Sequence, residues 1–407
     1  MRTSDNAKAP LLFITKIMPQ AEMTGGHLYP YSILSYLSTV GFDVNVLLLE
    51  NWTVHGLIPF ISETREGVPF RFLFPKYYRF GRWLWHPSGI LCNLRIKLSK
   101  YLKFIRPTKS LEGSQWWAEI SQNELELVRA AARSKKWKVV ISYPSCSSPA
   151  LDLFNYEVHK VVMAMDAFHT NSDPLFSAMT YEKEQELLAK GETIIAINEK
   201  EAAIFRNMLP DKQVVCARTA YSPHFSSSPP KPGRLLFLGS NYQPNISGAS
   251  WFIKQVGPLL EKLAPGHFSL NLVGDCGDHL RNEDHGFRVC IKGRVADLEK
   301  EYRDAEIVIA PIFAGSGVSA KVVEAIAYGK SVVATSMGAR GLEDLIGKPI
   351  LLADNPQDFA AKLMELSFDG LRRGQLEAAA RETTLQRLSP EASYRNLAAI
   401  LSGHARG

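Results

Sequence analysis

Residues 306–335 read EIVIAPIFAGSGVSAKVVEAIAYGKSVVAT. Glu306–Pro311 is a short apolar, β-branched run of the kind that fills a buried parallel strand. Gly315-Ser316-Gly317 follows, a turn whose two glycines tolerate positive φ and close backbone approach. Val318–Tyr328 carries Val318, Val322, Ala325 and Ile326 at the spacing of one buried helix face. Gly329 stops that helix, and Ser331–Thr335 is a second buried strand. The stretch is one βαβ unit with a glycine turn aimed at a helix N-terminus. Free N–H groups and the positive end of the helix dipole collect there, which suits a phosphate.

Two polar residues on the helix bear on its use. Lys321 and Glu324 stand one turn apart on the stripe opposite the apolar one. One reading is a surface ion pair worth a few tenths of a kcal/mol. Another puts Lys321 near a phosphate and lets Glu324 accept from the vicinal hydroxyls of a ribose, a diol matching the two carboxylate oxygens. A third follows from Gly315-Ser316-Gly317-Val318-Ser319-Ala320, which fits the dinucleotide pattern G-x-G-x-x-A. That pattern needs an acidic residue at the end of the next strand. Here the strand ends Ala334-Thr335-Ser336-Met337, so a nicotinamide oxidoreductase lacks its ribose ligand.

A chain of 407 residues is long for one domain and comfortable for two. Hydrophobic residues at 46% and charged ones at 22% are the balance of a soluble globular enzyme. Cys92, Cys146, Cys216, Cys276 and Cys290 are scattered, with no C-x-x-C pair, which points to a reducing compartment and no structural zinc. Met1–Pro10 is polar, and Leu11–Met18 is short and broken by Lys16. Neither a signal peptide nor a membrane span is expected, and the expected location is cytoplasmic. The net charge of +6 is uneven: residues 1–222 hold 26 Lys and Arg against 21 Asp and Glu, and the remainder 21 against 20. The basic half is where an anionic surface or acceptor would be met.

Along the first half, Leu11–Met18 reads as a strand, Thr24-Gly25-Gly26 as a turn, His27–Val40 as a helix and Val44–Leu49 as a strand. Arg71–Lys109 then carries ten cations and no acid, interleaved with aromatic residues such as Phe72, Tyr78, Trp83, Trp85 and Tyr101. Within it, Ile90–Arg106 has near-helical apolar spacing with cations between. A basic amphipathic helix beside aromatics suits an anionic membrane surface, each near-surface cation contributing about 1 kcal/mol. The alternative is an apolar stripe packed on its own domain with solvated cations. No recognised nucleic-acid module is present, so nucleic acid is not an expected partner.

Gln115–Arg133 reads as a helix, Lys138–Ser142 as a strand, and His159–Met165 as a strand that runs into Asp166-Ala167-Phe168-His169-Thr170. A lone histidine there is commonly structural, although ligands gather at strand C-terminal ends in open α/β sheets. Pro174–Lys190 and Glu199–Leu209 read as helices, Thr193–Asn198 and Lys212–Ala217 as strands. Ser222–Gly233 (SPHFSSSPPKPG) is the linker candidate. The second half alternates strands at Arg234–Leu238, Phe268–Val273, Phe287–Lys292 and Ile350–Ala353 with helices at Ile246–Leu263, Pro356–Leu366 and from Leu371 and Pro390. Asp297 has the character and position of an N-cap.

The set Gly-Ser-Gly-x-x-x-Lys-x-x-Glu-Ala from Gly315, Gly329-Lys330-Ser331, Gly338-x-x-Gly341-Leu342, Gly293-Arg294-Val295-x-Asp297 and Gly239-x-x-x-x-Pro244-Asn245-x-x-Gly248 resembles the donor-binding half of family 4 retaining glycosyltransferases. The resemblance implies an α/β chain of GT-B architecture, two Rossmann-like domains facing each other across a cleft. It implies an acceptor-binding domain over residues 1–221, a linker at 222–233, a donor-binding domain at 234–388, and a C-terminal helix in 389–407 crossing back to the first. Donor-binding residues would be Gly239, Asn241, Arg294, Val295, Gly315, Ser316, Gly317 and Glu324. Catalytic residues would be His169, Lys321 and Glu324, with Gly25 and Gly26 facing the cleft near the acceptor. Ser316 stands where many members have the first of two glutamates. Gly239-Ser240-Asn241 lacks the arginine and lysine many use for the pyrophosphate, which leaves Lys321, with Arg294 or Arg340 in reserve.

The expected activity is transfer of a sugar from a nucleoside-diphosphate sugar to a glycan or lipid-linked acceptor, with retained anomeric configuration. Neither a cofactor nor a metal is expected, since no Asp-x-Asp occurs. The alternative is a GT-B nucleotide-sugar epimerase or a non-catalytic binding protein. Peripheral contact with a membrane through Arg71–Lys109 is a further expectation.

Overall fold

The computed structural model describes residues 8–19, 25–49, 68–73, 78–80, 83–85, 119–170, 179–281, 286–315 and 317–406. The chain divides into two compact units, Met1–Ala217 with Tyr394–Gly407, and Arg218–Ser393.

In the first unit the strands are β1 (Ala9–Thr15), β2 (Phe42–Leu48), β3 (Arg71–Leu73), a ribbon of β4 (Tyr78–Phe80) and β5 (Trp83–Trp85), then β6 (Val139–Tyr143), β7 (His159–Met163), β8 (Thr193–Ala196) and β9 (Gln213–Cys216). The main sheet has the order β3-β2-β1-β6-β7-β8-β9, with every pairing parallel. Leu11–Ile14 and Val139–Ile141 are fully buried, as strands covered on both faces must be. The order turns back between β1 and β6, so ligands are expected at the carboxyl ends of those two strands.

Local chemistry sets several boundaries. The helix Gln122–Ser134 starts seven residues later than its expected start at Gln115. Ser121 and Glu124 form a capping box there, Ser121 N–H donating to the Glu124 carboxylate at 2.6 Å. Gly25 and Gly26 are not in a turn ahead of a helix: they are the first two residues of the helix Gly25–Thr39. The Gly26 carbonyl accepts from the Tyr143 hydroxyl at 2.9 Å. In the basic aromatic stretch, β3 extends the sheet beside β2, and β4 pairs antiparallel with β5. The helical spacing over 90–106 lies outside the described residues. Among the described residues no helix is long and apolar enough to cross a membrane.

The second unit holds β10 (Arg234–Leu238), β11 (Ser269–Val273), β12 (Val289–Gly293), β13 (Ile307–Ala310), β14 (Val332–Ala334) and β15 (Ile350–Leu352). Their order is β12-β11-β10-β13-β14-β15, again all parallel, and it turns back between β10 and β13. The long helix expected from Ile246 begins at Gln243, because Pro244 suits a first helical turn, and is interrupted by a π turn at Phe252–Val256 before Gly257–Leu263. The helix of the βαβ unit runs Ala320–Ala327 and buries Val322, Val323, Ala325 and Ile326. Asp297 caps the helix Leu298–Asp304 by accepting from Lys300 N–H at 2.9 Å. The Ser/Pro-rich segment is tied within this unit: His224 N–H donates to Ala327 O and Lys231 N–H to Asp304 O, each at 3.0 Å.

Candidate donor site and the His169 loop

The loop after β10 and the loop after β13 meet at the turn-back point of the second sheet. In the first, a Cβ on Gly239 would stand 2.5 Å from Cys276 Sγ and 3.1 Å from the Asn245 Cβ, so only glycine lets these groups close in. In the second, Gly315 and Gly317 adopt φ of 133° and 69°, the left-handed backbone expected of that turn. Ser316 lies outside the described residues.

Lys321 reaches from the following helix to the first loop. Its ammonium donates to Asn245 Oδ1 and lies 4.9 Å over the Phe237 ring. Asn245 in turn donates to the Ser240 carbonyl at 3.1 Å. Among the described residues no carboxylate pairs with Lys321. Burial pushes its pKa down to about 8, with the Cys276 thiol acting in the opposite sense. Glu324 accepts from the Tyr302 hydroxyl at 3.1 Å, and burial raises its pKa to about 7. The Tyr302 phenol is held well above its usual value, first by burial and then by Glu324. Tyr302 stacks on Tyr328 with ring centroids 4.1 Å apart. The surface ion pair between Lys321 and Glu324 is therefore replaced by two separate burials, the lysine against an amide and the glutamate against a phenol.

The other expected residues are placed less centrally. Asn241 Oδ1 lies 2.9 Å from His279 Nε2. Arg294 is exposed and grips Asp275 through Nε at 2.9 Å and Nη2 at 2.6 Å. Arg340 donates to the Gly315 carbonyl at 2.9 Å. Val295 is partly buried against the core that includes Val322 and Ile326. Both reserve cations are thus engaged, one with a carboxylate and one with backbone, and Lys321 is the cation set between the two loops.

In the first unit His169 lies in a short 3-10 turn, Phe168–Thr170. Its Nδ1 lies 2.6 Å from the carboxylate of Glu184, whose side chain is fully buried. The same carboxylate accepts from Phe168 N–H at 2.9 Å and His169 N–H at 3.1 Å. Glu201 accepts from Ala167 N–H at 2.7 Å.

Sequence reasoning missed Tyr302, Glu184 and Glu201, and knew Asn245 only as part of a motif. A signal existed for the two glutamates. Glu184 shares a stripe with Leu187 and Leu188, and Glu201 one with Ala202, Phe205 and Met208. An acid on an apolar helix face must find donors.

A family description, Glycosyl transferases group 1, matches residues 232–369, which include every candidate donor-site residue named above. A Klebsiella pneumoniae protein described as an uncharacterized 44.6 kDa protein in the cps region is 26% identical over 143 residues, 33% of this chain. That match spans 37% of the relative's length. Among solved structures, TarM is similar at a TM-score of 0.66 with 11% identity, covering 98% of this chain and 99% of its own. Anabaena Alr3699/HepE, in complex with UDP-glucose, is similar at 0.59 with 13% identity, covering 97% and 99%. At such identities these neighbours establish the fold: two parallel-sheet Rossmann-like α/β domains of the GT-B class. The family match thus falls within the second unit, on one of the two parallel-sheet Rossmann-like domains.

Proposed function

We propose that this chain is a glycosyltransferase that moves a sugar from a nucleoside-diphosphate sugar to a glycan or lipid-linked acceptor. The observation that carries the reading is Lys321, a partly buried ammonium without a carboxylate partner among the described residues, set between two glycine loops at a sheet's turn-back point. A lysine so placed is completed by an anion. The Anabaena neighbour's complex with UDP-glucose supports a diphosphate sugar as that ligand.

In this reading the diphosphate lies against the loops at Gly239–Asn241 and Gly315–Gly317, and Glu324 accepts from ribose hydroxyls. Charge growing on the departing diphosphate is met by Lys321 and by loop N–H groups, each such donor worth about 3 kcal/mol. His169 in the first unit is the third catalytic residue of the proposal. With Lys321 supplying the positive charge, neither a metal nor a cofactor is required. The departing phosphate itself takes the acceptor's proton on the face where the sugar bond breaks, so the anomeric configuration is retained.

A panel of nucleotide sugars tests the proposal. Release of nucleoside diphosphate only when acceptor is present, a product of retained configuration by NMR, and turnover that survives EDTA are the expected results. Sugar interconversion without acceptor would make the protein an epimerase, and binding without turnover a binding module. The basic, aromatic stretch 71–109 supports a lipid-linked acceptor met at an anionic membrane. Flotation with anionic liposomes at low salt, and none with neutral ones, is the result expected.

A further inference from the structure

We infer that Glu184 is a positioning residue that fixes the His169 imidazole in its Nδ1–H form and presents Nε2 for the transfer reaction. The inference rests on the glycosyltransferase reading for what His169 is presented to, but the geometry stands by itself. A carboxylate is an acceptor only. With Glu184 Oε2 at 2.6 Å from Nδ1, the proton between them belongs to Nδ1. In the neutral ring Nε2 then carries the lone pair, and among the described residues no group hydrogen-bonds it.

The loop is held with more force than a structural histidine needs. Three consecutive N–H groups, of Ala167, Phe168 and His169, point to two buried carboxylates, Glu201 and Glu184. Consecutive amides of this kind make an anion-binding concavity. Here the chain fills it with its own side chains, so the loop is not left to hold a substrate phosphate. Each carboxylate lies in the first turn of a helix, Tyr181–Leu188 capped by Thr180 and Glu199–Met208 capped by Asn198. The positive end of a helix favours a charge there, which helps these two acids stay buried beside amides and an imidazole. Tyr181 from the first of these helices stands edge-on to the His169 ring, centroids 5.2 Å apart. A ring held by a carboxylate on one nitrogen, with the other unpartnered among the described residues, is suited to a reacting group.

The test is a double-mutant cycle with a spectroscopic readout. In ¹⁵N NMR of histidine-labelled protein, the resonances lost in His169→Ala identify the residue, and the wild-type pattern expected is Nδ1–H with unprotonated Nε2. Glu184→Gln should lower kcat about ten- to a hundredfold, as loss of an orienting partner commonly does, with donor KM changed less than about twofold. His169→Ala/Glu184→Gln should be no slower than His169→Ala, because Glu184 acts through the imidazole. Multiplying losses in the double variant, or an Nε2–H tautomer in the wild type, would overturn the inference. If Glu184→Gln does not fold, the ¹⁵N pattern of the wild-type His169 ring decides by itself, an Nε2–H tautomer overturning the inference. Should no donor be turned over by the wild type, the glycosyltransferase reading falls, and the tautomer alone still decides whether Glu184 sets the ring.

Discussion

The first unit buries a lysine and a glutamate, the second half-buries one of each, and the two pairs are treated in opposite ways. In the first unit Lys16 and Glu124 pair at 3.2 Å with side chains 1% and 4% exposed, and Lys16 also donates to the Glu119 carbonyl at 3.1 Å. In the second, Lys321 and Glu324 share one helix turn yet do not pair; each is given a neutral partner, Asn245 for one and Tyr302 for the other. A closed pair satisfies both charges and is scaffold. Two half-buried ionisable groups kept apart, with pKa values pushed to about 8 and about 7, retain a capacity that a ligand can use.

The sharpest way to break this contrast is to remove one lysine from each unit. Lys16→Met leaves Glu124 buried with the Ser121 N–H but without its cation, and should cost about 3–5 kcal/mol in urea unfolding. Lys321→Met leaves no such orphan, because Asn245 is neutral. It should cost far less stability, since only the Asn245 amide oxygen loses a donor, while turnover falls about a hundred- to a thousandfold in steady-state kinetics. Equal destabilisation by both would end the distinction.

A smaller effect is expected from Glu324→Gln. The folded carboxyl holds its proton up to about pH 7 instead of 4.5, so its stabilising contribution is full below pH 4.5 and is lost as pH rises through about 7. A shift of that size corresponds to roughly 3 kcal/mol as an upper value. Glutamine does not ionise, so the variant should exceed the wild type in stability at pH 8 and match it near pH 4.5, in urea melts at the two values. Its affinity for donor should fall at both.

The mildest effect is a proton. Lys321 titrates at about 8 in the free protein, and a diphosphate against it would favour the charged form. UDP binding should therefore take up a proton at pH 9 and almost none at pH 7, with affinity falling about tenfold per pH unit above 8. Calorimetry in buffers of different ionisation heat reads this directly. An unchanged proton count would place the diphosphate away from Lys321.

Much of the fold was legible from the chain. Runs such as Leu235–Phe237 and Ile307–Ala310 can only be strands covered on both faces, and the glycines at 315 and 317 announced their left-handed backbone. Helix starts were less legible where a cap decided them: Ser121 and Glu124 move one start by seven residues from the expected position. Gly25 and Gly26 open a helix where the sequence suggested a turn, and the Gly26 carbonyl accepts from a hydroxyl on Tyr143, over a hundred residues away.

The site divides along the same line. Local pattern named Lys321, Glu324, Gly239 and His169, because chain spacing fixes which residues share a helix stripe or end a strand. It could not say what each would touch. The partners of Lys321, Glu324 and His169 lie 76, 22 and 15 residues away in sequence. Periodicity reports a residue's own element, and the order of parallel strands decides which elements become neighbours. By itself the sequence determined two α/β units and the residue types set at the ends of their strands. The tertiary structure alone decided that one lysine and glutamate are locked together while another pair is held apart, because desolvation and partner geometry exist only once distant segments pack.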